Sequence, residues 1–245
     1  MKSVDITTIV GCPNSCTYCP QDKLLSNYYG EKLLSIDKFK TMLDNISKHV
    51  IINFAGYSEN MFNREIAEMM VHAYEQKFRI NLFTTLIGLT DEKINRLKDT
   101  VTFNYVNFHK FNGKYYRDSS FYNSVEKFVR LININRYDVQ SVQSKVFTRA
   151  SNLKDTYVER KLGRIRCDFY TNNNVWDCNQ ILPNGDVYLC CMDWALKHKI
   201  GNVFLNEYGS EEFNKKRLEI ELSMVQNDSD LLCRNCEFAK QINDI

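Results

Sequence analysis

Apolar and polar positions follow two rhythms along the first two thirds of the chain. Residues 4–10 form an apolar run that reads as a strand and ends in a cysteine-bearing loop. Residues 20–35 read as an irregular connection. Ser35 then precedes Ile36, Phe39, Leu43 and Ile46, spaced as one helical face with Ser35 as N-cap. Residues 50–55 have the texture of a buried parallel strand, and Gly56-Tyr57-Ser58-Glu59-Asn60 is its C-terminal loop. A helix over about 63–75 turns Ile66, Met69, Met70 and Ala73 inward, and residues 79–84 form the next strand. A short helix over 90–97 buries Ile94 and Leu97, and residues 101–108 make a fourth strand with a loop over 109–116. Ser119 or Ser120 caps a helix carrying Phe121, Val125, Phe128 and Ile132. A fifth strand lies within 137–147, a helix within 153–162, and a last strand over 165–168. Alternation of this kind predicts βαβ units around a parallel sheet, whose ligands gather at the carboxyl ends of the strands.

After residue 166 the texture changes. Asn184-Gly185 stands between two apolar segments, a strong hairpin signal. Cys190 and Cys191 close the second hairpin strand, and Ser210 precedes a charged amphipathic helix with Phe213, Leu218 and Leu222 as its apolar side. Cys233-Arg234-Asn235-Cys236 follows near the end.

Composition narrows the class. At 245 residues the chain holds one large α/β core or a core plus a small module. With only 9 glycines and 3 prolines it does not read as disordered, and a net charge of +2 leaves no nucleic-acid footprint. No stretch approaches the roughly 20 apolar residues of a membrane span. The start, Met1-Lys2-Ser3-Val4-Asp5, leads straight into the first strand with an acid inside it, so no signal peptide is expected. Nine cysteines, an odd number, then point to metal-bound thiolates in a reducing cytoplasm rather than a secreted disulfide framework.

Cys12, Cys16 and Cys19 fall within one loop, close enough to converge on one small inorganic core. Iron–sulfur ligation by thiolates allows this spacing; a zinc knuckle or three unrelated buried thiols are the alternatives, and a four-cysteine zinc site lacks its nearby fourth ligand. Downstream, Cys233 and Cys236 can clamp a second metal core, completed by two ligands from the hairpin region. A four-thiolate zinc site and a fully ligated 4Fe–4S cluster fit that arithmetic equally, and a redox pair would leave the upstream cysteines unexplained.

The first loop, with Tyr18 just before its third cysteine, resembles the signature loop of the radical S-adenosylmethionine (SAM) enzymes. Gly185, Cys190, Gly201-Asn202 and Cys233-x-x-Cys236 resemble the twitch module, the shortened relative of the SPASM domain. The resemblance covers nearly the whole chain. It implies a partial (β/α)6 TIM-like barrel over residues 1–165, and over 166–245 a small cysteine-rich twitch module containing a β-hairpin. It also implies two [4Fe–4S] clusters and SAM as cofactors. Cys12, Cys16 and Cys19 would hold the first cluster and leave one iron open for SAM. Cys167, Cys190, Cys233 and Cys236 would hold the second. Cys167 lies further from Gly185 than the module's usual first cysteine and Cys178 nearer; Cys167 is preferred, with the Asn-rich stretch after it as an insertion, and Cys178 is the alternative ligand. Trp176 matches a tryptophan that relatives carry in the first hairpin strand, which puts Cys178 inside that strand. Cys191 is adjacent to Cys190 and points to the opposite face.

For SAM itself, the resemblance implies contacts from Tyr18, Gly56 and Glu59 of the strand-end loop, Thr84 near the ribose, and Arg149. Thr148-Arg149-Ala150-Ser151-Asn152 resembles a Thr-Arg-Ala-Gly-Asn stretch of short twitch enzymes whose arginine faces the cavity. Asp193 follows the double cysteine as in a Cys-Cys-x-Asp pattern, either meeting a substrate hydroxyl or amine or capping the hairpin. His109 is a further pocket candidate. Strand-end polarity and solvated surface charge are the structural alternatives for these polar residues.

The implied activity is hydrogen-atom abstraction through a 5′-deoxyadenosyl radical, with oxidation of a hydroxyl- or amine-bearing small molecule. Chain length matches best the dehydrogenase that oxidises a secondary alcohol of an aminocyclitol. An epimerase would instead use a cysteine, Cys178 or Cys191, as hydrogen donor. Peptide modification and a zinc-binding interaction protein are the other readings. The expected partners are a small-molecule substrate in preference to a peptide, and an electron donor such as flavodoxin or ferredoxin, with neither nucleic acid nor membrane.

Overall fold

Strands and helices form largely where the periodicity places them, in a computed structural model that describes residues 2–14, 16, 18–110, 118–140, 148–168, 178–227 and 229–242. In chain order they are β1 (Ser3–Ile6), α1 (Gln21–Asn27), α2 (Ile36–Asp44), β2 (Ile51–Phe54), α3 (Ile66–Glu75), β3 (Ile80–Thr84), α4 (Asp91–Leu97), β4 (Thr102–Phe103), β5 (Tyr105–His109), α5 (Asp118–Leu131), β6 (Asn133–Ile134) and β7 (Tyr137–Gln140). Then come β8 (Ile165–Cys167), β9 (Cys178–Ile181), β10 (Asp186–Tyr188), β11 (Lys199–Asn202), α6 (Glu211–Ser223) and β12 (Ala239–Gln241).

One sheet carries the order β11-β10-β9-β1-β2-β3-β5-β7. From β1 through β2, β3 and β5 to β7 the strands run parallel. On the other edge β9 joins β1, also in parallel, and β10 and β11 fold back antiparallel. The sheet is thus continuous from the N-terminal βαβ units into the C-terminal hairpin.

Each core strand is two-faced, because successive side chains point to opposite sides. Val4, Ile6, Ile52, Phe54, Ile80, Leu82, Val106 and Phe108 pack outward against the helices in one apolar cluster. That layer supplies most of the hydrophobic stabilisation. The opposite face is polar: the register sets Asp5 beside Asn53 and Gln180, and Asn53 beside Asn81. Ser35 caps α2 by accepting from Lys38 N at 3.3 Å, and Thr90 caps α4 by accepting from Lys93 N at 3.3 Å. Ile66, Met69, Met70 and Ala73 of α3 are all buried, as their spacing predicts.

Several elements depart from the sequence expectation. The connection after the cysteine loop contains α1. The fourth strand breaks at Asn104, whose N–H donates to Ile80 O; β4 pairs with β6 while β5 joins the main sheet. His109 ends β5 instead of starting a loop, and Ser119 and Ser120 lie inside α5 rather than before it. The fifth strand is β7; residues 141–147 of its expected span and 111–116 of the expected loop lie outside the described residues. No helix forms over 153–162. That segment gives its polar groups to the C-terminal loop instead, Lys161 N donating to Arg234 O and Val158 O accepting from Asn235 Nδ2, and Asp155 turns left-handed at φ 59°. The strand expected over 165–168 is β8, but it pairs antiparallel with β12, Cys167 opposite Ala239, and not with the barrel sheet. On α6 the buried positions are Phe213 and Arg217, while Leu218 and Leu222 are exposed. Arg217 is drawn inward by Asn179 Oδ1 at 3.0 Å and Tyr208 OH at 3.2 Å.

Candidate active site

The cavity at the carboxyl ends of the parallel strands measures about 240 Å³, and Cys12, Cys16 and Cys19 all line it. A tight turn, Cys19 N to Cys16 O at 3.1 Å, draws two of the cysteines together. Burial pushes the Cys16 thiol up to about 11, with the neighbouring Cys12 raising it further. Burial likewise pushes Cys19 up to about 12, with Cys16 and Cys12 adding to the shift. Three desolvated thiols that oppose one another's ionisation become thiolates readily only against a cationic core. The donor set therefore fits a metal–sulfur cluster. Tyr18 also lines the cavity, and its hydroxyl is hydrogen-bonded to Cys16.

Gly56 stands where the loop after β2 turns toward the cavity. Its φ is 107° and a Cβ there would lie 2.1 Å from Thr7 Oγ1, so no larger residue fits. Glu59 is buried on the cavity wall. Its carboxylate accepts from Thr84 Oγ1 (2.8 Å), Thr85 Oγ1 (2.7 Å), Thr85 N (2.6 Å) and Met61 N (3.1 Å). Thr84 is thereby turned onto Glu59 and Leu86 N, and it is Thr85 that lines the cavity.

Arg149 lines the cavity too. Its charge acts on Tyr18, Cys19, His109 and Cys191, and its Nε is buried without a hydrogen-bond partner. Arg149, Ala150 and Ser151 are all left-handed, at φ 54°, 52° and 59°. Such a conformation costs roughly 1–2 kcal/mol per non-glycine residue. Glu237 offsets that cost: its carboxylate accepts from Thr148 Oγ1 at 2.9 Å and from the N–H groups of Arg149 and Ala150 at 3.0 Å. Burial, with Arg149 adding to it, lowers His109 to about 4, so its imidazole is neutral.

The C-terminal thiols gather beside this segment. Cys233 and Cys236 belong to one apolar cluster, with Cys190 and Cys191 packed against it. Burial raises Cys233, and Cys236 and Cys167 raise it further. Burial lifts Cys236 to about 12, with Cys167 also contributing. Cys190 is raised by burial, then by Cys191 and Cys233. These thiols too form a mutually opposed, desolvated set that suits a metal–sulfur core. Cys191 is pushed to about 12 by burial and then by Asp5, so it borders both the set and the cavity polar groups. Tyr57 bridges the two halves: its hydroxyl lies 3.0 Å from Cys190 O and 3.1 Å from Asp193 O, and its ring packs on Trp194 at 4.6 Å between centroids.

Two candidates stand elsewhere. Asp193 is absent from the cavity lining; its carboxylate accepts from Lys197 N at 3.0 Å and His198 N at 2.7 Å, which is a turn cap. Cys178 begins β9, as expected, and its thiol donates to Asp5 Oδ1 at 2.9 Å. Trp176 lies outside the described residues. In a chain already lacking Cys12, Cys16 and Cys19, Cys167→Ala is expected to strip the remaining iron and its electron paramagnetic resonance signal, whereas Cys178→Ala preserves both. The opposite pattern would transfer the ligand role to Cys178.

Sequence reasoning passed over Glu237, Arg234 and Asp5. Arg234 stands between the two cysteines and Glu237 directly after them, and neither carries a sequence signal of its own. Asp5 did carry a signal, an acid in an apolar strand.

A family model described as the radical SAM superfamily matches residues 6–141, and one described as an iron–sulfur cluster-binding domain (SPASM) matches 167–237. The chain belongs to the radical SAM superfamily. It is an enzyme with the α/β barrel fold of that superfamily and a C-terminal SPASM-type domain. Its cofactors are a [4Fe–4S] cluster and SAM, with further iron–sulfur in the C-terminal domain. Among solved structures it resembles BtrN in complex with AdoMet and 2-DOIA, at 15% identity and a TM-score of 0.70, over 97% of this chain and 93% of that one. It also resembles anSMEcpe with bound AdoMet, at 11% and 0.56, over 92% and 84%. Streptococcus suis SuiB bound to precursor peptide SuiA aligns at 11% and 0.51, over 88% and 66%. A curated relative, UvrABC system protein C of Malacoplasma penetrans, is 26% identical over 166 residues, 65% of this chain and 26% of that protein. The chain thus spans about a quarter of that relative's length. No helix among the described residues is long and apolar enough to cross a membrane.

Proposed function

We propose that this enzyme oxidises a hydroxyl- or amine-bearing small molecule, of the carbohydrate or cyclitol class, by hydrogen-atom abstraction. The observation that carries the reading is one cavity bounded by the three-cysteine loop and by polar side chains of the sheet's inner face. When bound, the cofactors supply an electron, a 5′-deoxyadenosyl radical and a second cluster as electron acceptor. Residues 1–165 would hold SAM, and 166–245 the second cluster.

The chain's own residues supply position. Cys12, Cys16 and Cys19 would hold the first cluster; Cys167, Cys190, Cys233 and Cys236 would hold the other. Glu59 orders the strand-end loop through Thr84 and Thr85, and the Gly56 backbone lies open on the same wall. Arg149 contributes a fixed cation for a carboxylate or a substrate oxygen. His109, neutral on the cavity wall, offers a hydrogen-bonding ring nitrogen to a substrate hydroxyl. Phe83 and Trp194 give the wall apolar patches that exclude water. The likeness to SuiB, which binds a precursor peptide, keeps peptide modification as an outcome of the test.

The test is anaerobic incubation with reductant, SAM and deuterated candidate polyols and amino polyols, read by mass spectrometry. Oxidation is expected to move substrate deuterium into 5′-deoxyadenosine and yield a product lighter by two hydrogens, with one SAM consumed per turnover. A product of unchanged mass that gains deuterium from heavy water, lost in Cys178→Ala or Cys191→Ala with iron content intact, would show an epimerase instead. Turnover of peptides alone would defeat the small-molecule reading.

A further inference from the structure

The chain that leaves the first cysteine loop sets an amide against one of its sulfurs. Gln21 opens α1, two residues after Cys19, and lines the cavity. Its Nε2 donates to Cys19 Sγ at 3.6 Å and to the backbone carbonyl of Tyr57. Sulfur is larger than oxygen, so a donor meets it at this longer distance.

The surroundings dictate which way the amide faces. A terminal amide has two N–H donors on its nitrogen and only acceptor positions on its oxygen. Both donors of Gln21 have acceptors in front of them, a carbonyl oxygen and a sulfur. Turned round, the group would set its own oxygen against those two acceptors. The observed orientation leaves Oε1 buried with no hydrogen-bond partner. An unpaired buried acceptor is costly, so the two donor contacts outweigh it and hold the N–H on Cys19.

Tyr57 makes that hold rigid. The residue is 1% exposed. Its N–H donates to Thr7 Oγ1 at 3.0 Å, and its hydroxyl lies 3.0 Å from Cys190 O. Its ring packs on Trp194. The carbonyl that receives Gln21 is therefore fixed from the end of β1 and from the hairpin at once. A donor braced in this way stays aimed at the sulfur when the charge there changes.

Reduction of an iron–sulfur cluster adds one negative charge, part of which spreads onto the sulfur ligands. An N–H dipole with its positive end on such a sulfur stabilises the reduced state more than the oxidised one, and so raises the reduction potential. We propose that Gln21, braced on Tyr57 and acting through Cys19, is a positioning residue that eases one-electron reduction of the first cluster. The role concerns the entry of the electron and is independent of which substrate the enzyme oxidises. A side chain of the same size without the N–H leaves the cluster in place and makes it harder to reduce.

The experiment is an anaerobic redox titration of the reconstituted full-length chain with dithionite, read by electron paramagnetic resonance before SAM is added. SAM added afterwards identifies the first cluster, because only a cluster with an open iron changes its signal on binding it. The other cluster then serves as an internal reference. At a fixed potential, Gln21→Met is expected to lower the reduced-to-oxidised ratio of the first cluster about five-fold, the worth of one ordinary hydrogen bond. The ratio of the reference cluster and the iron content are expected to stay as in the parent. Gln21→Lys restores an N–H donor and is expected to bring the ratio back to the parent value or above. An unchanged ratio in Gln21→Met overturns the assignment. So does an equal shift of both clusters, or a fall in Gln21→Lys as large as that in Gln21→Met, since shape and not the donor would then be responsible. Absence of any signal that responds to SAM would remove the first cluster itself, and the role of Gln21 with it.

Discussion

Replacing Cys12, Cys16 and Cys19 together with alanine is expected to halve the iron of the anaerobically reconstituted protein, from about eight atoms per chain to about four, and to abolish reductive cleavage of SAM. All three residues line the cavity. Burial, with the neighbouring thiols adding to it, opposes their ionisation, lifting Cys16 to about 11 and Cys19 to about 12. Ligation must displace those protons, so partial removal leaves an incomplete set in a site hostile to stray charge. The fold itself is expected to survive. None of the three cysteines belongs to the apolar cluster between the strands and the helices, and circular dichroism of the triple variant should match the parent. Zinc in place of iron in the parent, or undiminished iron in the variant, would remove the assignment.

The second large effect is expected at Arg234, between the two cysteines of the C-terminal pair. Its side chain is completely buried. The guanidinium donates to Lys161 O at 3.2 Å, Gly163 O at 2.5 Å, Ser223 O at 3.1 Å, Met224 O at 3.0 Å and Gln226 O, and its Nε to Ser229 Oγ at 3.2 Å. One planar cation thus holds the end of α6, the segment before β8 and the cysteine turn in one arrangement. Arg234→Met keeps much of the volume and strips every donor. Orphaned buried carbonyls cost about 1–3 kcal/mol each, though not additively, so a loss of about 3–5 kcal/mol in unfolding free energy is expected. Iron should fall by the C-terminal share, while substrate-independent SAM cleavage at the first cluster persists. Urea unfolding with parallel iron analysis reads both. An unchanged midpoint would mean that the carbonyls find other donors, and that the arginine is only a spacer.

Legibility followed the range of the interactions. The strands over Ile51–Phe54 and Ile80–Thr84, the inward row of α3 and the Ser35 cap were all readable, because each depends on residues a few positions apart. The three-cysteine loop was readable for the same reason. The segment over 153–162 was misread as a helix because its backbone groups are claimed by residues beyond 230. Leu218 and Leu222 were misplaced because Arg217, not a leucine, finds buried partners. Of the two roles the sequence leaves to Asp193, substrate contact or hairpin cap, the cap matches its hydrogen bonds, since two N–H groups a few residues onward take its carboxylate.

By itself the sequence determined the alternating α/β order, the loop that presents Cys12, Cys16 and Cys19, and the presence of a second thiol group near the C-terminus. Those are matters of periodicity and spacing, set by local geometry. Only the tertiary structure decided what meets what. Parallel pairing of β9 with β1 brings Cys178 and Gln180 onto Asp5 across more than 170 positions of chain. The reach of Glu237 to residues 148–150 holds a left-handed turn and, with it, Arg149 at the cavity. Such contacts gain their energy from burial and from pairing polar groups away from water, and no one-dimensional pattern records which distant partner will satisfy them.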